Sequence, residues 1–294
     1  MAFVRTILAA LLLVAPAGAF AQADKLKVVA SFSILADLVA NVGGERIDLA
    51  TLVGPDGDAH VYTPTPADAQ RVGAAKLVVV NGLGFEGWIG RLAKASGSKA
   101  AVVEAATGAA ALKESGAEHA VDPHAWQDVA NAKIYVANIR EALIGADPAG
   151  RAVYEANAAA YLAELDALER EVVATIARIP AERRRAITSH EAFGYFERAY
   201  GIDFVAPQGV STDAEASAKD VARIIRQIRK EAIPAVFVET ISDPRLVRRI
   251  AAETGARIGE RLYSDALSGP DGPAATYIDM MRHNIRALTT ALAS

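Results

Sequence analysis

The chain has 294 residues with 31 basic and 35 acidic side chains, a formal net charge of −4, five histidines and no cysteine. Without cysteine it has no disulfides, no thiolate metal sites and no cysteine nucleophile, and its mild acidity argues against nucleic acid and anionic membrane as partners. The length is too great for one small core and comfortable for two domains.

The first segment, "MAFVRTILAALLLVAPAGAFAQA", carries one positive charge at Arg5, an apolar run and a small-x-small ending at Ala21-Gln22-Ala23. This pattern predicts an export signal over residues 1–23, cleaved before Asp24. Its unbroken apolar stretch, Thr6 to Ala15, is shorter than the ~20 residues a membrane-spanning helix needs. Removing Arg5 leaves 30 basic against 35 acidic residues, a net charge of −5. With no cysteine after the signal to accept a lipid, the mature chain is expected in the periplasm and not as a lipoprotein.

Four runs apolar on both faces come next: "KLKVVASF" (25–32), "DLATLV" (48–53), "AKLVVVNG" (75–82) and "KAAVVEA" (99–105). Amphipathic or alanine-rich stretches separate them, and that alternation predicts a parallel sheet covered by helices on both faces. Between Pro148 and Ile179 the pattern changes to one long helix, with apolar Tyr154, Tyr161, Leu165, Leu168, Val172 and Ile176 at helical spacing and Pro180 as its stop. About 28 helical residues span about 40 Å, the height of a small domain. Alternation then resumes with "RRAITSH" (184–190), "IDFVAPQG" (202–209), "IPAVFVET" (233–240) and "ARIGERLY" (256–263). The fold class is therefore α/β: an N-terminal lobe (24–147) and a C-terminal lobe (180–294), each with a parallel sheet of about four strands flanked by helices, joined by one long rigid helix (148–179).

In open parallel sheets, ligands sit beyond the carboxyl ends of the strands. His60, His124, His190 and Asp265 fall there, one from each of four βα units. Alone, each has an ordinary explanation: a surface or core histidine, or, for Asp265, a turn or helix cap. Asp122-Pro123 reads as an N-cap with proline at N1, which would place His124 in the first turn of a helix, while Pro64 and Pro66 stiffen the chain after His60. Both histidines are thus presented on stiff backbone, which favours a ligand role.

Taken in order, "HVYTPTPADA", "DPHAWQD", "TSHEAFGYF" and "LYSDALS" resemble the four ligand motifs of the substrate-binding proteins of zinc and manganese ABC importers, and the likeness covers essentially the whole chain after the signal. It implies two α/β lobes on a backbone helix and a metal site of His60, His124, His190 and Asp265, two ligands from each lobe. It also implies a membrane permease as partner, a monomeric chain, a periplasmic metallochaperone as a further candidate partner, and no catalysis. Thr63 stands where the family often has an acid, and the loop 112–122 holds only His119 where many zinc-specific members carry many histidines. Three imidazoles and one carboxylate favour Zn²⁺ as the bound cargo, with Mn²⁺ as the alternative. Asp122, Glu191, Glu239 and Asp243 are candidates to hold the outer ring nitrogens of the histidines.

Two other classes compete. A zinc hydrolase would need an open metal position and a base, for which Glu191 is the candidate. A receptor for an organic solute would use Trp88 and Trp126 as stacking walls, although Trp126 better suits the base of a metal site and Trp88 a lobe core.

Overall fold

A computed structural model describes residues 24–113 and 121–293. The segment read as an export signal and His119 lie outside the described residues.

The first lobe is built on β1 (Leu26–Phe32), whose Val28 to Phe32 are buried on both faces. It continues through α1 (Ser33–Gly43), β2 (Ile47–Val53), α2 (Pro66–Ala74), β3 (Leu77–Val80), α3 (Ile89–Ser96) and β4 (Ala101–Glu104). The strands are parallel in the order β2-β1-β3-β4, with Val28 opposite both Leu49 and Leu77. A small antiparallel pair that the apolar pattern did not reveal, β5 (Leu112–Lys113) with β6 (Val121–Asp122), leads into α4 (Val129–Ala146).

The long helix is α5 (Arg151–Ile176), preceded by a short 3-10 turn at Pro148–Gly150. Its 26 residues reach about 39 Å. The stripe Tyr154, Tyr161, Leu165, Leu168, Val172 and Ile176 is wholly buried, with Ala158 filling the remaining position. This face packs against α1, α4 and α9 (Tyr277–Leu292), so the helix is a shared spine.

The second lobe holds β7 (Arg185–Ile187), α6 (Gly194–Tyr200), β8 (Asp203–Val205), α7 (Ala218–Glu231), β9 (Ala235–Val236), α8 (Pro244–Thr254) and β10 (Arg257–Ile258), with parallel strands in the order β10-β9-β7-β8. These strands are shorter than their apolar runs. At β7 the cause is visible: the backbone N–H groups of Ser189 and His190 donate to the Glu239 carboxylate instead of continuing a ladder.

Burial is not divided between the lobes. One contiguous apolar cluster runs from Val28 and Leu38 through Trp126, Tyr135 and Leu165 to Phe196, Phe237 and Leu288. A smaller one lies under α7 and α8, around Ile224, Val236 and Val247. At about 1.5–3 kcal/mol for each large side chain buried, the shared cluster opposes wide separation of the lobes.

Candidate metal centre

His60 comes from the loop after β2. Its backbone N–H donates 2.9 Å to Asp58 Oδ1, the turn that an aspartate makes with the second residue after it. Behind it, Trp88 Nε1 donates to Ala59 O at 2.8 Å. Downstream, Thr65 and Asp68 form a reciprocal capping box at the start of α2, with Pro66 at the first helical position. The buried Phe85 ring packs 4.7 Å from the imidazole.

The approach to His124 differs from the N-cap expectation. Asp122 ends β6 and caps no helix; its Oδ1 accepts the His124 backbone N–H at 2.9 Å and lies 2.8 Å from His124 Nδ1. His124 itself precedes a 3-10 turn at Ala125–Gln127, and α4 begins only at Val129 with Asp128 as its cap. The aspartate is drawn to the imidazole because one carboxylate oxygen there serves two donors. Trp126, fully buried, sets its ring 5.2 Å from that of His124, at the base of the site as expected. Trp88 is buried as well.

His190 leaves β7 and is fully buried. Its Nδ1 lies 2.6 Å from Glu239 Oε2, an ion-pair contact without hydrogen-bond alignment, while Oε1 takes the backbone N–H groups of residues 189 and 190. Asp265 is also fully buried and serves as neither turn nor cap. Its segment is pinned at Ser264, whose carbonyl accepts from Trp126 Nε1 at 2.9 Å and Gln127 Nε2 at 2.7 Å.

The structure brings all four residues together, with ligand-capable atoms within 4.8 Å of one another, and they form the one such group among the described residues. Asp265 Oδ2 lies 3.2 Å from His60 Nε2 and 3.1 Å from His190 Nε2, Asp265 Oδ1 lies 3.5 Å from His124 Nε2, and the Nε2 atoms of His60 and His124 are 3.3 Å apart. Ligands about 2.0–2.1 Å from a tetrahedral ion stand about 3.3 Å from each other. His190 Nε2 and both Asp265 oxygens are buried without a hydrogen-bond partner. Buried polar atoms are nearly always satisfied, so their convergence is what a cation-binding cage requires.

Charge reinforces the geometry. Burial alone would keep His124 neutral, but the carboxylates of Asp265 and Asp122 outweigh it and push the imidazole up to about 9. Burial likewise favours neutral His190, and Glu239 and Asp265 raise it well above the ordinary value. Burial would raise Asp265, yet the imidazoles of His190 and His124 hold it well below the usual carboxylate range. A cation entering here exchanges imidazole protons for its own charge.

Of the four candidates for the outer ring nitrogens, Asp122 and Glu239 touch them. Asp243 instead caps α8, and Glu191 lines a cavity of about 300 Å³ with Asp122, Phe193 and Arg198. The sequence reading missed Phe85, Gln127 and Asp58. Asp58 had a usable signal, since Asp58-Ala59-His60 repeats the spacing of Asp122-Pro123-His124.

Comparison with known proteins shows the family. A family model described as zinc-uptake complex component A, periplasmic, matches residues 28–291. The manganese-binding lipoprotein MntA of Halalkalibacterium halodurans is 37% identical over 277 residues, 94% of this chain and 91% of that protein. The zinc-binding protein TroA of Treponema pallidum is 36% identical over 280 residues, 93% of this chain and 91% of its own, and its solved structure superposes with a TM-score of 0.87, covering 92% of this chain and 100% of that one at 33% identity. The metal ABC transporter substrate-binding lipoprotein SsaB of Streptococcus sanguinis is 31% identical over 283 residues, 94% of this chain and 92% of its own.

These names correct one expectation. MntA and SsaB are lipoproteins, so the reading of an unanchored chain that is not a lipoprotein does not stand.

Proposed function

The chain belongs to the zinc-uptake complex component A family of metal-binding substrate-binding proteins of ABC importers, and on that premise we propose that His60, His124, His190 and Asp265 hold one Zn²⁺ as cargo for transfer to the membrane permease. The observation that carries this reading is the convergence of three imidazoles with a carboxylate whose two oxygens are buried and unpartnered. Nitrogen-rich, four-ligand sets suit zinc, whereas manganese favours more oxygen donors and higher coordination. A relative named for manganese keeps Mn²⁺ as the competing cargo.

Capture works through residues already in place. Asp122 and Glu239 turn the Nε2 atoms of His124 and His190 inward, and Asp265 supplies the anionic oxygen. All four groups come from one chain, so a monomer suffices. We take residues 1–23 as the export signal, 24–147 and 180–294 as the lobes, and 148–179 as the connecting segment. A metallochaperone is a natural donor to a site this buried.

Calorimetry of the metal-stripped chain tests the proposal. One equivalent of Zn²⁺ should bind more tightly than Mn²⁺, and His190→Ala or Asp265→Ala should lower zinc affinity at least 100-fold. Unchanged zinc affinity in both variants would overturn the site, and tighter binding of Mn²⁺ would overturn the choice of metal.

A further inference from the structure

Three of the four site segments are braced from the opposite half of the chain. Asp122, which orients His124, has its carbonyl bonded by Tyr195 Oη at 3.0 Å, and its Oδ2 lies so close to Gly194 that a Cβ there would stand 2.7 Å away. Ser264, beside Asp265, is held by Trp126 and Gln127. These two braces use fully buried side chains within the shared core.

The third brace is different. Asp58 and Asp122 each accept the backbone N–H of the histidine two residues on, both at 2.9 Å. Asp122 also reaches its imidazole, but Asp58 spends its second oxygen across the cleft, accepting from Thr212 Oγ1 at 2.7 Å. Thr212 lies in the loop between β8 and α7, whose root is tied to the exit of β7 by the Glu191 N–H bond to Gly209 O and by the bridge between His190 and Gln208. The Asp58 carboxylate therefore links the backbone of His60 to the segment that carries His190.

This brace is also the accessible one. Asp58 and Thr212 are partly exposed and line a cavity of about 450 Å³ with Ser189, Gln208 and Asp243. His60 is the one member of the four that is not fully buried as a residue. The root of its loop stays tied by the Asp56 N–H bond to Leu267 O and by the bond from Trp88 to Ala59 O, so the movable part is the Asp58 side chain with His60.

We propose that Asp58 and Thr212 form a latch across the cleft that holds His60 in place, making His60 the residue through which the bound metal is exchanged. His124, His190 and Asp265 then form a standing half-cage, and opening the latch lowers the coordination number by one without unpacking the core. Asp58 and Thr212 act as positioning residues. The inference rests on the metal-binding reading above.

The test is the rate at which zinc passes from the loaded protein to excess chelator, measured by stopped flow for the parent, Thr212→Val and Thr212→Ser. Valine keeps the shape of threonine and removes its donor; serine keeps the donor. Loss of a hydrogen bond to a charged group predicts release about tenfold faster in Thr212→Val, release at the parental rate in Thr212→Ser, and an unchanged visible spectrum of the Co²⁺-substituted forms. A metal-free Thr212→Val variant that melts within about 5 °C of the parent, the shift that one lost hydrogen bond accounts for, separates the latch from a general loss of stability. Release from Thr212→Val at the parental rate, or faster release accompanied by an altered Co²⁺ spectrum or a fall in melting temperature of more than about 5 °C, would overturn the latch. If the parent itself fails to bind one zinc ion, the metal-site reading falls instead, so the two failures are distinct.

Discussion

Glu239 meets His190 on two sides: one carboxylate oxygen takes its backbone N–H at 2.9 Å, and the other stands 2.6 Å from its Nδ1. A single side chain at the exit of one strand thus sets both the backbone and the ring direction at the exit of its neighbour. Replacing Glu239 with Gln keeps an acceptor for the backbone and removes the charge facing the ring. Partners of this kind are worth about 10- to 100-fold in metal affinity, so Glu239→Gln should weaken zinc binding by that amount in calorimetry with stoichiometry still at one. Parental affinity in the variant would show that Glu239 serves the backbone alone.

Proton release follows from the charges around the site. With His124 pushed up to about 9 and His190 raised well above its ordinary value, both imidazoles carry protons near neutrality in the metal-free protein. Zinc binding at pH 7 should therefore release about two protons, read from calorimetry in buffers of different ionisation enthalpy, and affinity should climb with pH up to about 9. Binding with no proton release would contradict this account.

The metal-free protein should show the opposite trend in stability. A histidine raised from its ordinary 6.5 to about 9 stabilises the fold fully below 6.5, and that contribution disappears as pH rises through 9. The depressed Asp265 stabilises above the ordinary carboxylate value and loses that contribution on acidification through its folded value. The metal-free melting temperature should accordingly fall between pH 6.5 and 9, and a scanning calorimetry profile that rises over this interval would count against the charge pattern.

Helix α5 offers a control remote from the chemistry. Leu165 is fully buried on its packed face, so Leu165→Ala should cost about 2–5 kcal/mol of unfolding free energy. Zinc affinity of the folded variant should stay within about threefold of the parent, since Leu165 belongs to the apolar core of the spine and is absent from the group of ligand-capable residues. A drop comparable to that of His190→Ala would mean that the spine tunes the site.

Loading should also protect the fold. At free zinc 100 times the dissociation constant, linkage adds about 2.7 kcal/mol. For a chain of this size that corresponds to roughly 5–10 °C in melting temperature. His190→Ala should lose most of that shift, which differential scanning fluorimetry reads directly.

Much of this was legible along the chain. The lobes, the spine and its buried stripe follow from apolar periodicity, because burial on one or two faces imposes a repeat that residue order records. His60, His124, His190 and Asp265 were singled out by their places after strands and by their likeness to known motifs. Shorter strands in the second lobe escaped notice because the N–H groups of Ser189 and His190 turn to Glu239, and apolarity does not say where a backbone donor goes.

What residue order by itself determined is therefore local: which segments are strands or helices, that Asp58 and Asp122 stand two residues before histidines, and that no thiol chemistry is available. Tertiary structure decided how those equivalent pairs differ. Asp122 reaches the His124 ring, whereas Asp58 reaches Thr212, a residue 154 positions away. It also decided that Asp265, ordinary as a turn residue, becomes a buried carboxylate facing three imidazoles. Hydrogen bonds and charges act over a few ångströms, and only folding sets which distant residues come within that range.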